Sequence, residues 1–595
     1  MREFTVPATI TVPDNATASD AVYDHARDKP DQVSFSRPAA GGWQDVTAAQ
    51  FATEVRAVAR GLIQAGVRSG DRVALMSKTR YEWTLFDYAI WSAGGVGVPI
   101  YETSSAEQVQ WILSDSGAVA AVVETAEHEA VVDSVRPDLP GLRKVWRIES
   151  DAVGTLTGLG RDLDDEEVDR RRAAVTADDL ATIIYTSGTT GRPKGCELTH
   201  RNLLFDTMTS ADGLRAMFNE AGATLLFLPL AHVFGRVVQC GAMLHGTRLG
   251  HTADVKNLLP DLAVFRPTFL LSVPRVFEKV YNGAKLKAHA EGHGKIFDAA
   301  ELTAVAYSEA LDRGRVPVTL KARHAVFERL VYGKLRAALG GQCRSAISGG
   351  APLGARLGHF FRGVGITVYE GYGLTETTAG ACLNLEGALK VGTVGRPLPG
   401  VSVRIADDGE ILLRGDNVFR GYWHNETAST EALDGGWFHT GDIGEIDSDG
   451  FLKITGRKKE LIVTAAGKNV APAVLEDRLR AHPLISQCMV VGDQQPFIGC
   501  LVTIDPEAFP AWKQAHGKAA DATVGDLRDD ADLRAEVQLA VDEANQAVSR
   551  AEAIRKFRIL PKDFTEEGGE LTPTLKLKRS IVSKEYADEV AAIYA

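Results

Sequence analysis

A run of small hydroxyl residues and glycines follows an apolar stretch and has the composition of a phosphate-binding loop. It reads YTSGTTGRPKG over residues 185–195. Small residues allow backbone N–H groups to crowd around phosphate oxygens, and Lys194 adds a positive charge. A Walker A loop ends in Gly-Lys-Ser/Thr, whereas this run ends in Pro193, Lys194 and Gly195. The run therefore predicts a nucleotide phosphate site that differs from those of P-loop kinases and ATPases.

Four more motifs follow this loop along the chain. They read SGGAP at 348–352, YEGYGLTET at 369–377, TGD at 440–442 and GRKKE at 456–460. In this order, the five motifs resemble those of the adenylate-forming superfamily of acyl-CoA synthetases, luciferases and peptide-synthetase adenylation domains. The resemblance extends from about residue 30 to about residue 590. The segments LPLAHVFGR at 228–236, VPRVFEK at 273–279 and LTPTLKLK at 571–578 are most similar to bacterial long-chain fatty-acid–CoA ligases.

The resemblance implies a nucleotide site assembled from these motifs. Glu376 would hold Mg²⁺ between ATP phosphates, since this ion prefers one or two carboxylates together with phosphates and waters. Tyr372 would stack on adenine, and Asp442 would accept hydrogen bonds from both ribose hydroxyls, with Arg457 beside it. The implied ATP- and AMP-binding residues are Thr186, Ser187, Gly188, Thr190, Lys194, Gly349, Gly350, Ala351, Glu370, Gly371, Tyr372, Gly373, Thr375, Asp442 and Arg457.

The resemblance also implies four catalytic residues, which are Lys576, Glu376, Thr189 and His232. Adenylation brings a carboxylate anion towards an anionic α-phosphate, so nearby positive charge is the main need, and each such group is worth on the order of 10²–10³ in rate. Lys576 would supply this charge. Many family members have Gly before this lysine, whereas Leu575 stands here, so Lys578 remains an alternative.

Thr189 would contact the phosphates. His232 would lie between an acyl tunnel and the adenylate, where it would orient the substrate carboxylate or gate the tunnel. The alternative for His232 is a hydrogen-bonded histidine of the core.

The implied domains are an N-terminal adenylation domain at 1–456 that holds the acyl and ATP sites, a hinge at 457–460, and a mobile C-terminal lid at 461–595. Lys459 would be the hinge residue. In one orientation the lid would bring Lys576 to the adenylation site. In the other it would open a channel for coenzyme A, lined by Gly467, whose missing side chain would admit the pantetheine arm. The alternatives are a charged turn for Lys459 and a turn glycine for Gly467.

The implied reaction is fatty acid + ATP + coenzyme A → acyl-CoA + AMP + pyrophosphate, with Mg²⁺ as cofactor. One alternative is a fatty acyl-AMP ligase that transfers its acyl group to a carrier protein. An alternative of another class is a non-catalytic regulator that binds acyl groups or nucleotides. The presence of Glu376, Lys194 and Lys576 argues against the regulator.

The elements that must position these residues follow an α/β pattern up to about residue 400. Short apolar runs such as 72–77, 182–185 and 225–230 alternate with amphipathic segments such as 49–65. This alternation predicts layered, largely parallel sheets. Beyond residue 400, alternating runs around Asp-Gly turns predict a small antiparallel β subdomain. The remainder predicts a smaller α+β domain, with a helix from Pro472, strands near 489–491 and 498–504, and an Ala-rich helix over 508–557.

Composition excludes several other classes of protein. The 595 residues are 45% hydrophobic and 24% charged, with a net charge of −12, which argues against bulk disorder, a coiled coil and a general nucleic-acid binder. Six scattered cysteines without a CxxC pair argue against a zinc site or a disulfide framework. The N-terminus has no signal-peptide pattern, and no window approaches ~18 continuous apolar residues. We therefore expect a cytoplasmic protein whose membrane contact, if any, is peripheral.

Residues 313–344 are locally basic, because their eight Lys or Arg residues face only Glu328 and the preceding Asp312. Val326, Phe327, Leu330 and Val331 are interleaved with these cations. A basic amphipathic helix of this kind suits an anionic membrane surface. The alternative is a solvated helix face packed on the large domain.

Overall fold

A computed structural model describes residues 1–39, 42–186, 192–254, 257–465, 467–572 and 575–595. The strands are β1 Glu3–Thr5, β2 Val33–Ala39, β3 Gly42–Thr47, β4 Arg72–Met76, β5 Val96–Ile100, β6 Ala120–Val123, β7 Lys144–Arg147, β8 Leu180–Thr186, β9 Lys194–Thr199, β10 Ala223–Leu226, β11 Arg248–His251, β12 Phe269–Ser272, β13 Ser345–Ser348, β14 Thr367–Tyr372, β15 Cys382–Leu383, β16 Arg396–Pro397, β17 Ser402–Ile405, β18 Glu410–Arg414, β19 Phe438–Ile446, β20 Leu452–Arg457, β21 Ile462–Val463, β22 Asn469–Val470, β23 Ile485–Val491, β24 Ile498–Ile504 and β25 Ile554–Ile559.

The helices are α1 Asp20–Asp28, α2 Ala48–Gln64, α3 Tyr81–Ser92, α4 Ala106–Ser116, α5 Ala126–Val135, α6 Ala152–Leu159, α7 Asp165–Ala173, α8 His200–Asp212, α9 Val233–Leu244, α10 Leu258–Phe265, α11 Pro274–Ala290, α12 Gly294–Asp312, α13 Val318–Phe327, α14 Gly333–Ala338, α15 Ala355–Val364, α16 Glu426–Ala432, α17 Pro472–Arg480, α18 Phe509–Ala515, α19 Val524–Leu527, α20 Ala531–Asn545, α21 Arg579–Glu585 and α22 Ala587–Tyr594. Among the described residues, none of the helices combines the length and apolar character needed to cross a bilayer.

Layered α/β sheets form the larger part of the molecule, as the sequence predicts. One sheet has the order β7-β6-β4-β5-β8-β9 and is parallel except where β9 folds back on β8. A second has the order β12-β13-β14-β15-β16, and a third the order β10-β11-β2-β3. Helix α3 is buried on every side, because its residues are apolar almost all round. The resulting fold is α/β with largely parallel sheets.

A small antiparallel sheet follows these layers, with the order β1-β17-β18-β19-β20. The strands predicted around the Asp-Gly turns form β17, β18, β19 and β20. Strand β1 at the N-terminus pairs with β17, and the Met1 amino group donates to the Ile446 carbonyl oxygen at 2.8 Å. This closure joins segments about 400 residues apart in the chain, which no local pattern predicts.

The buried apolar residues of 462–595 form hydrophobic cores distinct from those of residues 12–452, and Leu286 of α11 packs against one of them. The sheet β23-β24-β25 lies against α17 and α20, so this part has the predicted α+β character. The prediction of one helix over 508–557 is wrong, because that stretch contains α18, α19, α20 and the start of β25. Gly517 adopts a left-handed φ of 62°, and Thr523 and Asp530 accept N-cap hydrogen bonds that start new helices.

The apolar run 225–230 is only partly a strand, since β10 ends at Leu226. Residues 227–232 instead turn towards α9, with the His232 N–H donating to the Pro229 carbonyl oxygen at 3.0 Å. Proline has no N–H to donate to a sheet, which explains why the strand does not continue through it. This departure from the predicted strand places His232 at the start of α9.

Candidate functional site

One large cavity lies between the layered sheets, the small β sheet and the C-terminal residues. Its volume is about 2620 Å³. The predicted site residues that line it are Thr186, Lys194, His232, Gly349, Gly350, Ala351, Glu370, Gly371, Tyr372, Gly373, Thr375, Glu376, Asp442, Arg457, Lys459 and Lys576. Ser187, Gly188, Thr189 and Thr190 lie outside the described residues, so their assignments stay predictions. The fold thus brings motifs from almost four hundred residues of chain to one space.

The phosphate-loop motif connects the antiparallel strands β8 and β9. Thr186 at the end of β8 pairs with Lys194 at the start of β9, so both stand at the mouth of the connecting loop. The Lys194 Nζ lies 4.9 Å from the centre of the Tyr422 ring. A positive charge and a hydroxyl at this position suit the binding of phosphate oxygens.

Glu376 is held by a neighbour that the motif does not contain. The Tyr422 hydroxyl donates to Glu376 Oε1 at 2.8 Å, which leaves Oε2 without this bond. One carboxylate is enough for Mg²⁺ when phosphates and waters complete its shell. The described residues contain no cluster of three or more metal-ligating side chains. The Glu376 carboxylate fits a magnesium ion whose remaining ligands are phosphates and waters.

The predicted ribose site is a three-residue hydrogen-bonded group. Asp442 on β19 stands opposite Arg457 on β20, and Arg457 Nε donates to Asp442 Oδ1 at 2.7 Å. The Tyr372 hydroxyl donates to Asp442 Oδ2 at 2.6 Å. Each carboxylate oxygen keeps a second lone pair, so Asp442 can still accept two ribose hydroxyls. The Tyr372 ring lines the cavity, where its face is available to a base.

Glu370 forms a hydrogen bond just after the end of the predicted adenine loop, residues 349–351. Its Oε1 accepts a hydrogen bond from the Leu353 N–H at 3.0 Å. Burial and the nearby Asp477 carboxylate raise the pKa of Glu370 to about 7, against the opposing effect of the Leu353 bond. Gly350 has a φ of 83°, a conformation that other residues adopt only with strain. These features hold the loop backbone at the cavity wall.

Lys576 reaches the middle of the cavity from the C-terminal segment. A Cβ placed on Gly350 would lie 3.7 Å from Lys576 Cε, so the lysine passes directly over the predicted adenine loop. The pKa of Lys576 lies below its ordinary value, because the surrounding protein removes the ammonium group from bulk water and Arg457 adds positive charge. Leu575 has a φ of 61°, in the left-handed region that favours glycine. Leu575 therefore adopts a backbone conformation that glycine would adopt without strain.

His232 is the N-cap of α9, and its Nδ1 accepts the Phe234 N–H at 3.2 Å. Burial and the Lys576 charge lower the pKa of His232 to about 3, so the imidazole is neutral at pH 7. Helix α9 is fixed beneath it by Arg236, which donates to Asp87 Oδ1 at 2.5 Å in the core. A neutral ring at this position can orient a carboxylate, but it does not supply charge.

The cavity continues into an apolar part between α8 and α9. This part is lined by Ala211, Leu214, Phe218, Val238 and Gly241. A Cβ on Gly241 would lie 3.2 Å from Phe218 Cε1, so the glycine leaves space that a side chain would fill. An alkyl chain would be removed from water along this surface.

Polar contacts join the large domain to the C-terminal residues in the arrangement that places Lys576 in the cavity. Arg275 on α11 donates to Ser486 Oγ at 3.0 Å and pairs with Asp505 at 3.4 Å. The Arg275 and Asp505 side chains are 12% and 13% exposed. Lys279 pairs with Glu507 at 3.1 Å, with side chains 50% and 76% exposed. Arg275 is therefore the more enclosed contact of the two.

Lys459 and Gly467 differ in their relation to the cavity. Lys459 lies in the turn of residues 458–460 directly after β20 and lines the cavity. Gly467 has a φ of 78° and is exposed, it is not part of the cavity lining, and a Cβ there would have no atom within 4 Å. In this arrangement Gly467 is a turn glycine, so its role in a coenzyme A channel stays a prediction.

Two residues of the site were missed in the sequence. Tyr422 donates a hydrogen bond to Glu376. It lies outside the YEGYGLTET motif, and the sequence around it does not indicate this contact. Asp206 on α8 lines the cavity and accepts the Gly380 N–H at 2.6 Å. Burial raises the pKa of Asp206 to about 8. The available signal for Asp206 was its position directly after three apolar residues of α8, Leu203, Leu204 and Phe205, all of which are buried.

Comparison with known proteins identifies the family. The family model described as "AMP-binding enzyme" matches residues 22–423, and "AMP-binding enzyme C-terminal domain" matches residues 459–595. The chain is 57% identical to long-chain-fatty-acid–CoA ligase FadD15 of Mycobacterium bovis, over 100% of both chains. It is 31% identical to long-chain-fatty-acid–CoA ligase ACSBG2 of Xenopus laevis, over 95% of this chain and 82% of that one.

Among solved structures, the A domain of a carboxylic acid reductase from Segniliparus rugosus, in complex with AMP and a co-purified carboxylic acid, has a similar fold. Its TM-score is 0.74 at 20% identity, covering 98% of this chain and 95% of that one. At this identity the likeness concerns the fold alone. The two family models together match most of the chain, and the 57% identity extends over its full length. The chain therefore belongs to the AMP-binding enzyme family.

Proposed function

We propose that the protein is an ATP-dependent long-chain fatty-acid–CoA ligase that works through an acyl-adenylate. The observation that carries the proposal is one cavity with a charged nucleotide end and an apolar end. Lys576, Glu376 and Asp442 stand at the first end, and the α8–α9 residues line the second. The full-length relative named as a long-chain ligase supports the acyl substrate. ATP and coenzyme A are the co-substrates, and Mg²⁺ is the proposed cofactor.

In this proposal the residues act mainly by placing charge. Asp442 and Arg457 hold the ribose side of the nucleotide, and the loop 349–351 approaches the adenine edge. Lys576 offsets the repulsion between the substrate carboxylate and the α-phosphate as they meet. Glu376 would hold Mg²⁺, which would neutralise charge on the ATP phosphates. The neutral His232 imidazole orients the substrate carboxylate at the entrance of the apolar part.

The domain division proposed for this mechanism is 1–456, a hinge at 457–460 and a lid at 461–595. The separate hydrophobic cores before residue 452 and after residue 462 support it. Lys459 would absorb the backbone change at the hinge, and Gly467 would line the coenzyme A channel in a second orientation. We further propose a cytoplasmic location, with fatty acid, ATP and coenzyme A as partners and no nucleic acid.

AMP release with acids from acetate to about twenty carbons, with and without coenzyme A, tests the reaction. We expect turnover that requires coenzyme A and is greatest with long chains. Acyl-AMP that accumulates regardless of coenzyme A would instead identify a ligase that transfers to a carrier protein. The absence of turnover with every acid would identify a non-catalytic binding protein.

Filling the apolar part should shorten the preferred acyl chain. We expect Gly241→Val to lower kcat/KM for the longest acids by on the order of tenfold, because the new side chain meets Phe218 and occupies the volume of two or more methylenes, each worth about 0.8 kcal/mol. The same panel of acids measures the shift. Gly158→Val on the exposed surface of α6 is the matched control. An unchanged chain-length profile in Gly241→Val would place the acyl chain elsewhere.

Breaking the enclosed interdomain contact should slow adenylation selectively. We expect Arg275→Ala to lower ATP–pyrophosphate exchange by about thirtyfold or more, because removing one partner of an enclosed ion pair costs about 2 kcal/mol or more. Thioester formation from supplied acyl-AMP should be retained, since it does not need Lys576 in the cavity. Lys279→Ala removes an exposed pair and should cost less than about fivefold. Equal loss in both half-reactions would contradict this role of Arg275.

A further inference from the structure

We infer that the outer surface of α13 and the turn after it binds an anionic lipid bilayer. This α13 outer surface consists of Val318, Lys321, Val326, Arg329 and Leu330. None of these residues has a role in the proposed ATP binding or adenylation, and none of them lines the large cavity. The inference therefore stands apart from the proposed reaction.

The inner side of α13 holds the helix in one orientation. Leu320, His324, Phe327 and Val331, spaced at i, i+4, i+7 and i+11, are all partly covered by protein. The His324 ring stacks on Tyr307 with centres 4.0 Å apart, and its Nε2 lies 2.7 Å from the Gly363 carbonyl oxygen. No residue of α13 is fully buried. The helix is thus attached along one side and open along the other.

The open side is apolar where a solvated helix would be polar. Val318 is 81% exposed, Val326 56% and Leu330 49%. Single exposed apolar residues are ordinary on protein surfaces, but a concentration of them indicates an interaction site. Between residues 296 and 330 lie six large exposed hydrophobic side chains, three of them on the α13 outer surface. This distribution favours contact with an apolar phase over a plain solvated face.

Cations flank these apolar side chains. Lys321 and Arg329 are exposed, and neither has a carboxylate within 4 Å among the described residues. This occurs on a chain whose net charge is −12, so the average surface does not explain it. An anionic bilayer offers phosphate groups for the cations and hydrocarbon for the valines and leucine. Nucleic acid lacks the apolar layer, and long-chain fatty acids partition into bilayers.

Vesicle flotation tests the inference with the full-length protein. One set of vesicles is phosphatidylcholine alone, and in the other about a third of the lipid is phosphatidylglycerol. We expect flotation with the anionic vesicles and its loss at high salt, which screens surface charge. Lys321→Gln with Arg329→Gln should weaken binding by about fivefold for each cation removed. Val318→Asp with Val326→Asp should abolish flotation.

Matched controls separate this surface from general charge and hydrophobicity. Leu539→Asp replaces a residue that is 62% exposed on α20, and Lys144→Gln with Arg161→Gln removes two exposed cations elsewhere. All variants should keep wild-type thermal unfolding and turnover of a water-soluble medium-chain acid. Equal flotation with both vesicle types would overturn the inference, as would undiminished flotation of the Val318→Asp, Val326→Asp protein.

Discussion

Lys576→Ala is expected to lower the rate of acyl-adenylate formation by on the order of 10²–10³. The lysine extends over Gly350 and lines the same cavity as Arg457, Asp442 and Glu376, so its charge lies at the nucleotide end of that cavity. Without it, the substrate carboxylate and the α-phosphate approach each other with less compensation. ATP–pyrophosphate exchange in the presence of a long-chain acid measures this step alone.

The neighbouring lysine provides the control for this prediction. Lys578 stands immediately before α21, two residues along the same segment. Lys578 also lines the cavity, but it is the N-cap residue of α21 and not the lysine that extends over Gly350, so we expect Lys578→Ala to lower activity far less than Lys576→Ala. Thioester formation from supplied acyl-AMP should persist in Lys576→Ala, which shows that the protein is folded and binds its adenylate. A larger loss in Lys578→Ala than in Lys576→Ala would identify Lys578 as the lysine that supplies the positive charge.

Glu376→Gln is expected to lower adenylation by on the order of 10²-fold and to raise the Mg²⁺ concentration needed for half-maximal rate. Amide and carboxylate have the same shape, so the change removes the charge that the proposed ion requires and little else. Adenylation rate measured over a Mg²⁺ titration reports both effects. Glu445→Gln, at an exposed position on β19, is the matched control and should behave as wild type.

Tyr422 allows the same site to be tested without removing its charge. Tyr422→Phe loses the hydrogen bond to Glu376 Oε1 but keeps the carboxylate and the ring near Lys194. Residues that orient a metal ligand typically contribute 10–100-fold, so we expect about a tenfold loss that higher Mg²⁺ partly restores. A Glu376→Gln enzyme with an unchanged Mg²⁺ dependence would show that this carboxylate does not hold the ion.

The motifs themselves could be predicted from the sequence because their chemistry is local. A phosphate loop needs small residues and a cation within eleven positions, and the adenine loop needs glycines where the backbone approaches a ligand. The family resemblance, the α/β class and the small antiparallel unit follow from such short-range patterns. Every predicted site residue among the described ones, apart from Gly467, then lines one cavity.

Only the tertiary structure decided the partners of these residues. The Asp442–Tyr372 and Glu376–Tyr422 bonds join positions 70 and 46 residues apart, and Arg275 meets Asp505 across 230 residues. Hydrophobic periodicity describes which side of an element is buried, but it does not specify which other element covers it. For the same reason, hydrophobic periodicity could not predict that Asp206 contacts Gly380, or that one side of α13 is left uncovered. The sequence by itself determined the chemistry available to this protein, whereas long-range packing determined where each charge stands.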